Sequence, residues 1–205
     1  MRAFIYTGGD VYPENITEHP KGDDLCIAAD SGYENAKRLG ERVDVFVGDR
    51  DSYSGELPDR IEVALLKPEK DVTDTHAALG LALERGADDI VIIGGLSGRL
   101  DHTMSNLAIL RDAKDKGFYA VITDGRNRVR YIRNDSTLIA RSNYKYISLI
   151  ADDDAVKGVE IKGVKYPLKN AKLTRNFQYA VSNEIEGNCA LVSVKKGGLF
   201  VIESV

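Results

Sequence analysis

DIVIIGGLSGRLDHTMSNLAILRDAKDKGFYAVITD, residues 89–124, decides the fold. It opens with a continuous β-branched run, Ile90–Ile93, too short for a helix and apolar on both parities. A glycine pair follows at 94–95, then a long amphipathic stretch, LDHTMSNLAILRDAKDKG. Gly117 sits where a helix takes a left-handed glycine to end. A second apolar run, YAVITD, comes next. Strand, helix and strand in this order give a parallel crossover, and continuous apolar strands belong to a sheet covered on both faces.

Working toward the N-terminus, the same rhythm repeats. AFIYTGG, LCIAAD, VDVFVGD and EVALLK read as strands; SGYENAKRLG and TDTHAALGLALERG read as helices, with Gly40 and Gly86 at their ends. Past TDGRNR, 123–128, the rhythm changes. VRYIRND, STLIARS, KYISLIAD, VEIKGVKYPL, AKLTRN, YAVSNEI, CALVSVKKG and LFVIES follow with short turns and no helical pattern. The sequence therefore predicts an α/β N-terminal domain, residues 1–125, with a mainly parallel, Rossmann-like, three-layer sheet. An all-β sandwich follows over residues 126–205.

A chain of 205 residues can bury a core of this size. Its net charge of −4 offers no broad basic surface, so nucleic acid is not expected as a partner. An anionic ligand would need local help from cations, backbone amides or metal. No apolar run approaches the roughly 20 residues of a membrane span, and the start, MRAFIYTGGD, turns polar too early for a signal peptide. A cytoplasmic protein is expected. Cys26 and Cys189 both lie in apolar strand contexts and read as small core residues. The triplet Asp152–Asp154 reads as a solvated turn.

In open α/β sheets, ligands bind beyond the carboxyl ends of the strands. Four acidic or glycine-rich segments fall there: AADSG with Asp30, VGDRDS with Asp49 and Asp51, KDVTD with Asp71 and Asp74, and GGLSGRLDH with Asp101. In an extended GDRDS, residues 49 and 51 share a face. Their repulsion is on the order of 1 kcal/mol in water and several times that in a cleft. Solvent or a cation must relieve it, and Mg²⁺ takes one or two carboxylates plus substrate phosphates. Thr73 is a candidate N-cap, which puts Asp74 in a first helical turn where negative charge is favoured anyway. Asp30 could likewise cap the following helix. Gly94, Gly95 and Gly98 allow close approach of backbone to a ligand, and a glycine loop entering a helix can receive phosphate. Arg99 adds a bidentate donor; His102 reads as a surface residue near the cap. The loop is neither a Walker loop nor a GxGxxG dinucleotide loop.

DSG (30–32), GDRDS (48–52), KDVTDTHAAL (70–79) and GGLSGRLDH (94–102), in this order, resemble the thiamine pyrophosphokinase family. KYPL (165–168) and SNE (182–184) resemble its thiamine-binding half. Arg50, Ser31 and Ser97 depart from the family pattern, which has an apolar residue and glycines there. The resemblance implies transfer of diphosphate from ATP to the hydroxyethyl group of thiamine, giving thiamine diphosphate and AMP. It implies Mg²⁺ held by Asp49, Asp51 and Asp74, with Asp30 and Asp71 completing the catalytic group. ATP phosphates would meet Gly94, Gly95, Ser97, Gly98 and Arg99, with Asp101 bracing the loop or the nucleotide. Ser182 and Asn183 would contact thiamine, at the interface of a homodimer. Two other readings stay open: a related diphosphokinase acting on a pterin alcohol, and a non-catalytic nucleotide-binding protein.

Overall fold

The computed structural model describes residues 1–48, 57–65 and 72–205. The chain divides into two compact units, Met1–Gly125 and Arg126–Val205.

The first unit holds β1 (Arg2–Tyr6), β2 (Leu25–Ala29), β3 (Val45–Gly48), β4 (Glu62–Leu65), β5 (Asp89–Ile93) and β6 (Tyr119–Thr123). These six strands run in the order β4-β3-β2-β1-β5-β6, and every pairing is parallel. Among the described residues three α-helices cross between them: α1 (Gly32–Leu39), α2 (Asp74–Glu84) and α3 (Leu100–Asp115). Residues of both parities are buried in β1, β2, β3, β5 and β6, the packing expected of apolar strands covered on both faces. Gly40, Gly86 and Gly117 take positive φ at the helix ends, as the sequence predicts. Thr73 caps α2, its hydroxyl accepting from the His76 amide at 3.3 Å.

α1 begins almost against β1. A Cβ at Gly32 would stand 2.0 Å from the Tyr6 carbonyl oxygen, so only glycine permits this approach. Tyr33 and Ala36 of α1 then join Phe4, Tyr6, Ala28 and Phe46 in one apolar cluster. Asp30, just before the helix, has φ 57° and is not its cap; Ser31 holds that position. A non-glycine residue in the left-handed region carries backbone strain, which concentrates at functional sites.

The second unit is antiparallel throughout. β7 (Asn127–Arg133) pairs with β13 (Gly198–Ser204), which pairs with β9 (Tyr146–Ala151). β11 (Leu168–Leu173), β10 (Val156–Lys162), β12 (Cys189–Ser193) and β8 (Ser136–Ala140) form a four-stranded sheet in that order. One core draws on all these strands, with Ile132, Leu149 and Val201 meeting Ile139, Ile161, Leu173 and Val192. Inside it lies an ion pair: the Arg130 guanidinium donates to Glu203 at 2.6 Å, both side chains nearly without solvent.

Several expectations need correction or refinement here. VEIKGVKYPL is not one strand: β10 ends at Lys162, Gly163 turns with φ 74°, and Leu168 opens β11. YAVSNEI is not a regular strand: its Ser and Asn read as a turn at 181–184, and Ser182 at φ 57° breaks the extension there, leaving the isolated bridges Ile147–Asn183 and Val164–Ile185. Cys26 is buried as expected, but Cys189 is exposed. β12 alternates out and in, and residue 189 falls on the outward parity with Leu191. The Asp152–Asp154 turn is also less solvated than its composition suggests. Asp153 accepts from the Gly198 amide at 3.0 Å and pairs with Arg133 at 3.4 Å.

Candidate active site

At the carboxyl ends of β1, β2 and β5 lies a cleft of about 270 Å³. Its walls come from four segments distant in sequence. Thr7, Gly8 and Gly9 follow β1; Ala29 ends β2, and Asp30 and Ser31 follow it; Thr73, Asp74 and Thr75 begin α2; Gly95, Ser97, Gly98 and Arg99 lead into α3. His102 and Asn106 of α3 complete it.

The two glycine loops are joined because β1 and β5 are sheet neighbours. The Thr7 amide donates to Ile93 O at 2.9 Å, and the Gly95 amide donates to Gly8 O at 2.8 Å. Ser97 closes the seam, its hydroxyl accepting from the Asp10 amide at 2.7 Å. Gly94 must be glycine twice over: φ is 99°, and a Cβ would stand 2.5 Å from Thr7 O. Asn35 Nδ2 donates to Thr7 O at 2.8 Å and to Gly9 O at 2.9 Å. Asn106 Nδ2 donates to Gly95 O at 3.0 Å.

Of the acidic residues singled out in the sequence, Asp30 and Asp74 line this cleft together. Asp49, Asp51 and Asp71 lie outside the described residues. Among the described residues no group of three or more His, Cys, Asp or Glu is placed to hold a metal ion. Arg99 and Asp101 are exposed and bonded to each other at 2.6 and 3.1 Å. The hydrogen bond from Arg99 holds the Asp101 carboxyl below the usual carboxylate range. Asp101 also accepts from the His102 amide at 2.9 Å, so it ties down the start of α3.

The sequence reading missed Thr7, Gly8, Gly9, Thr75, Asn35 and Asn106. The signal for the first group was present: TGG at 7–9 ends the first strand just as GG at 94–95 ends the fifth. Nothing in the sequence marked the asparagines, since a polar residue within an amphipathic helix reads as surface.

The second unit carries a cavity of about 190 Å³, lined by Ile147, Leu149, Ile161, Leu168, Tyr166, Tyr179, Ala180, Val181 and Asn183. Asn183 is buried, and its amide is committed to the chain around it. Its Oδ1 accepts from the Tyr166 and Glu184 amides, each at 3.0 Å, and its Nδ2 donates to Tyr166 O at 2.7 Å. Asn183 thus shapes this wall by holding the KYP segment. Ser182 is exposed beside it.

Architecture and cleft define an α/β unit with a cleft walled by glycine loops and two carboxylates, followed by an antiparallel β unit with an apolar cavity. Residues 18–122 match the thiamin pyrophosphokinase catalytic domain, and residues 135–199 match the thiamin pyrophosphokinase vitamin B1 binding domain. The chain belongs to the thiamine pyrophosphokinase family. It is 32% identical to the thiamine pyrophosphokinase of Bacillus subtilis (strain 168) over 210 residues, covering 98% of this chain and 97% of that protein. The crystal structure of thiamine pyrophosphokinase from Bacillus subtilis superposes with a TM-score of 0.88 at 26% identity, covering 100% of this chain and 99% of the other. That of thiamin pyrophosphokinase from Geobacillus thermodenitrificans gives 0.85 at 26%, covering 100% and 98%. Among the described residues no helix is long and apolar enough to cross a membrane.

Proposed function

We infer that this chain transfers diphosphate from ATP to the hydroxyl of thiamine, forming thiamine diphosphate and AMP. The observation that carries the reading is the convergence of Asp30, Asp74 and the two glycine loops on one cleft, in a chain of this family. The α/β unit is read as a Rossmann-like, three-layer ATP site, and the β unit as a thiamine-binding sandwich.

The cleft suits a magnesium–nucleotide complex. Carboxylate oxygens are the donors that Mg²⁺ prefers, and Asp30 and Asp74 bring two such groups to a site whose other walls include glycines, hydroxyls, Arg99, His102 and Asn106. Asp49, Asp51 and Asp74 are proposed to hold the ion, which when bound neutralises charge on the phosphate oxygens. The chain's own part is positioning. Backbone of the 94–98 loop and the Arg99 guanidinium would hold phosphates, with the Arg99–Asp101 pair setting the direction of the guanidinium. Asp30 and Asp71 are proposed to orient the thiamine hydroxyl or receive its proton. Diphosphate transfer asks little covalent chemistry of the protein, so alignment of hydroxyl, phosphorus and leaving AMP accounts for most of the catalysis.

Thiamine is proposed to lie where the β unit of one copy in a homodimer faces the α/β unit of the other. The exposed Tyr166 and Tyr179 of the second unit's cavity, with Phe177 against Tyr179, supply aromatic surface for such a contact. The two cysteines are free thiols, which suits a reducing cytoplasm.

The test is purified protein with ATP, Mg²⁺ and either thiamine or a pterin alcohol, scored for AMP against ADP. AMP formed with thiamine supports the reading. ADP, AMP only with the pterin, or nucleotide binding without turnover each contradicts it. Sedimentation of the same sample tests the dimer.

A further inference from the structure

Two buried asparagines border the cleft, Asn106 in its wall and Asn35 outside its lining, with no part in the chemistry described so far. Asn35 projects from α1 and Asn106 from α3; their exposures are 8% and 5%. Each directs its amide nitrogen at backbone carbonyls of a glycine loop: Asn35 at Thr7 and Gly9, Asn106 at Gly95. The carbonyl between the first two, Gly8 O, receives the Gly95 amide. Four carbonyls that would otherwise be free to turn toward the cleft are thereby engaged.

The consequence follows from peptide geometry. In a trans peptide the C=O and the next N–H point in opposite directions. Fixing Thr7 O turns the Gly8 amide the other way; fixing Gly8 O turns the Gly9 amide; fixing Gly95 O turns the Leu96 amide. A phosphate chain is attracted by N–H dipoles and repelled by C=O dipoles. Glycine loops flip peptides at little steric cost, so without an external clamp they could present either group.

We propose that Asn35 and Asn106 are positioning residues that select the phosphate-receptive orientation of both glycine loops. The proposal rests on the ATP reading above and names what sets its selectivity for polyphosphate. Neither asparagine need touch the nucleotide; each acts through the loop it holds.

The experiment compares binding of ATP–Mg²⁺ and of AMP by calorimetry in the full chain, Asn35→Ala and Asn106→Ala. Asn35→Asp and Asn106→Asp keep the side-chain volume and remove the donor, and they serve where an alanine variant does not fold. The expected result is a loss of about tenfold or more in ATP affinity, with AMP affinity within about twofold of the unaltered chain. A purely structural role would weaken both ligands alike. An ATP-to-AMP affinity ratio that stays within about twofold overturns the proposal. Hydrogen exchange on the unaltered protein gives a second readout: ATP should protect the Gly8, Gly9 and Leu96 amides, and adenosine should not. Absence of that protection also overturns it. Failure of the unaltered chain to prefer ATP over AMP would instead refute the ATP reading itself.

Discussion

The hydroxyl oxygens of Thr7 and Thr75 lie 2.7 Å apart, buried, although 68 residues separate them in the chain. This bond fastens the loop after β1 to the first turn of α2, the same turn that carries Asp74. One hydroxyl donates and the other accepts.

Thr75→Val keeps the shape and removes one partner. The Thr7 hydroxyl is then buried without its bond, at a cost of about 1–3 kcal/mol in urea unfolding. Thr75→Ser should retain most of the stability. The double variant Thr7→Val, Thr75→Val should regain part of the loss, since neither unpaired hydroxyl then remains. Equal stability of Thr75→Val and the unaltered chain would contradict the bond's role.

Asp74 separates catalysis from helix stability. Its place in the first turn of α2 is worth at most about 1 kcal/mol through the helix dipole. As a proposed magnesium ligand it is worth far more to the transition state. Asp74→Asn should therefore lower turnover by about a hundredfold or more, on the order of 3 kcal/mol of barrier, while shifting stability little. Asp51→Asn should behave alike. Chelation of divalent ions should stop AMP formation, and added Mg²⁺ should restore it. Retention of more than about a tenth of the rate in Asp51→Asn would refute the assignment.

The buried pair Arg130–Glu203 should show the signature of an ion pair whose burial is costly. Removing one partner strands the other charge in the β core. Glu203→Ala should cost about 3–5 kcal/mol, and replacing both residues with apolar ones of similar volume should recover most of it. A double-mutant cycle in urea measures this directly.

The same carboxyl gives a pH dependence with a definite sign. Burial pushes Glu203 above its ordinary value of 4.5, against the opposing pull of Arg130 and Arg128. The folded state therefore holds this proton more tightly than the unfolded one. Its contribution to stability is full below pH 4.5 and is lost as pH rises through the raised value. Unfolding free energies measured upward from pH 4.5 should fall less steeply in Glu203→Gln than in the unaltered chain. Identical slopes would show that Glu203 does not titrate there.

The two thiols should differ in reactivity. Burial pushes the Cys26 thiol up to about 12, whereas Cys189 is exposed on β12. A thiol reagent at mildly alkaline pH should modify Cys189 alone in the folded protein and both after denaturation. Rapid reaction of Cys26 in the native state would contradict its burial.

Much of this arrangement could be read from the chain, and what escaped has physical reasons. Apolar runs such as Ile90–Ile93 announce doubly covered strands, and Gly40, Gly86 and Gly117 mark the helix ends because few other residues take positive φ. The capping role of Thr73 is local and equally legible. The Ser-Asn pair of VSNE marks a turn, and Ser182 takes left-handed backbone there. Cys189 misled because its parity depends on register with β8, which neighbouring residues do not specify. Thr75 and Asn106 stayed hidden for a related reason: their partners, Thr7 and Gly95, are fixed by strand order and helix placement.

β1 pairs with both β2 and β5, and that adjacency has a consequence for how the protein is made. The ribosome delivers the loop after β1 well before the facing loop after β5, which emerges some 85 residues later. A nascent chain halted before Gly94 carries half a cradle and nothing to close it. Nucleotide can therefore reward only a nearly finished catalytic unit, and cannot act as a template for its early stages.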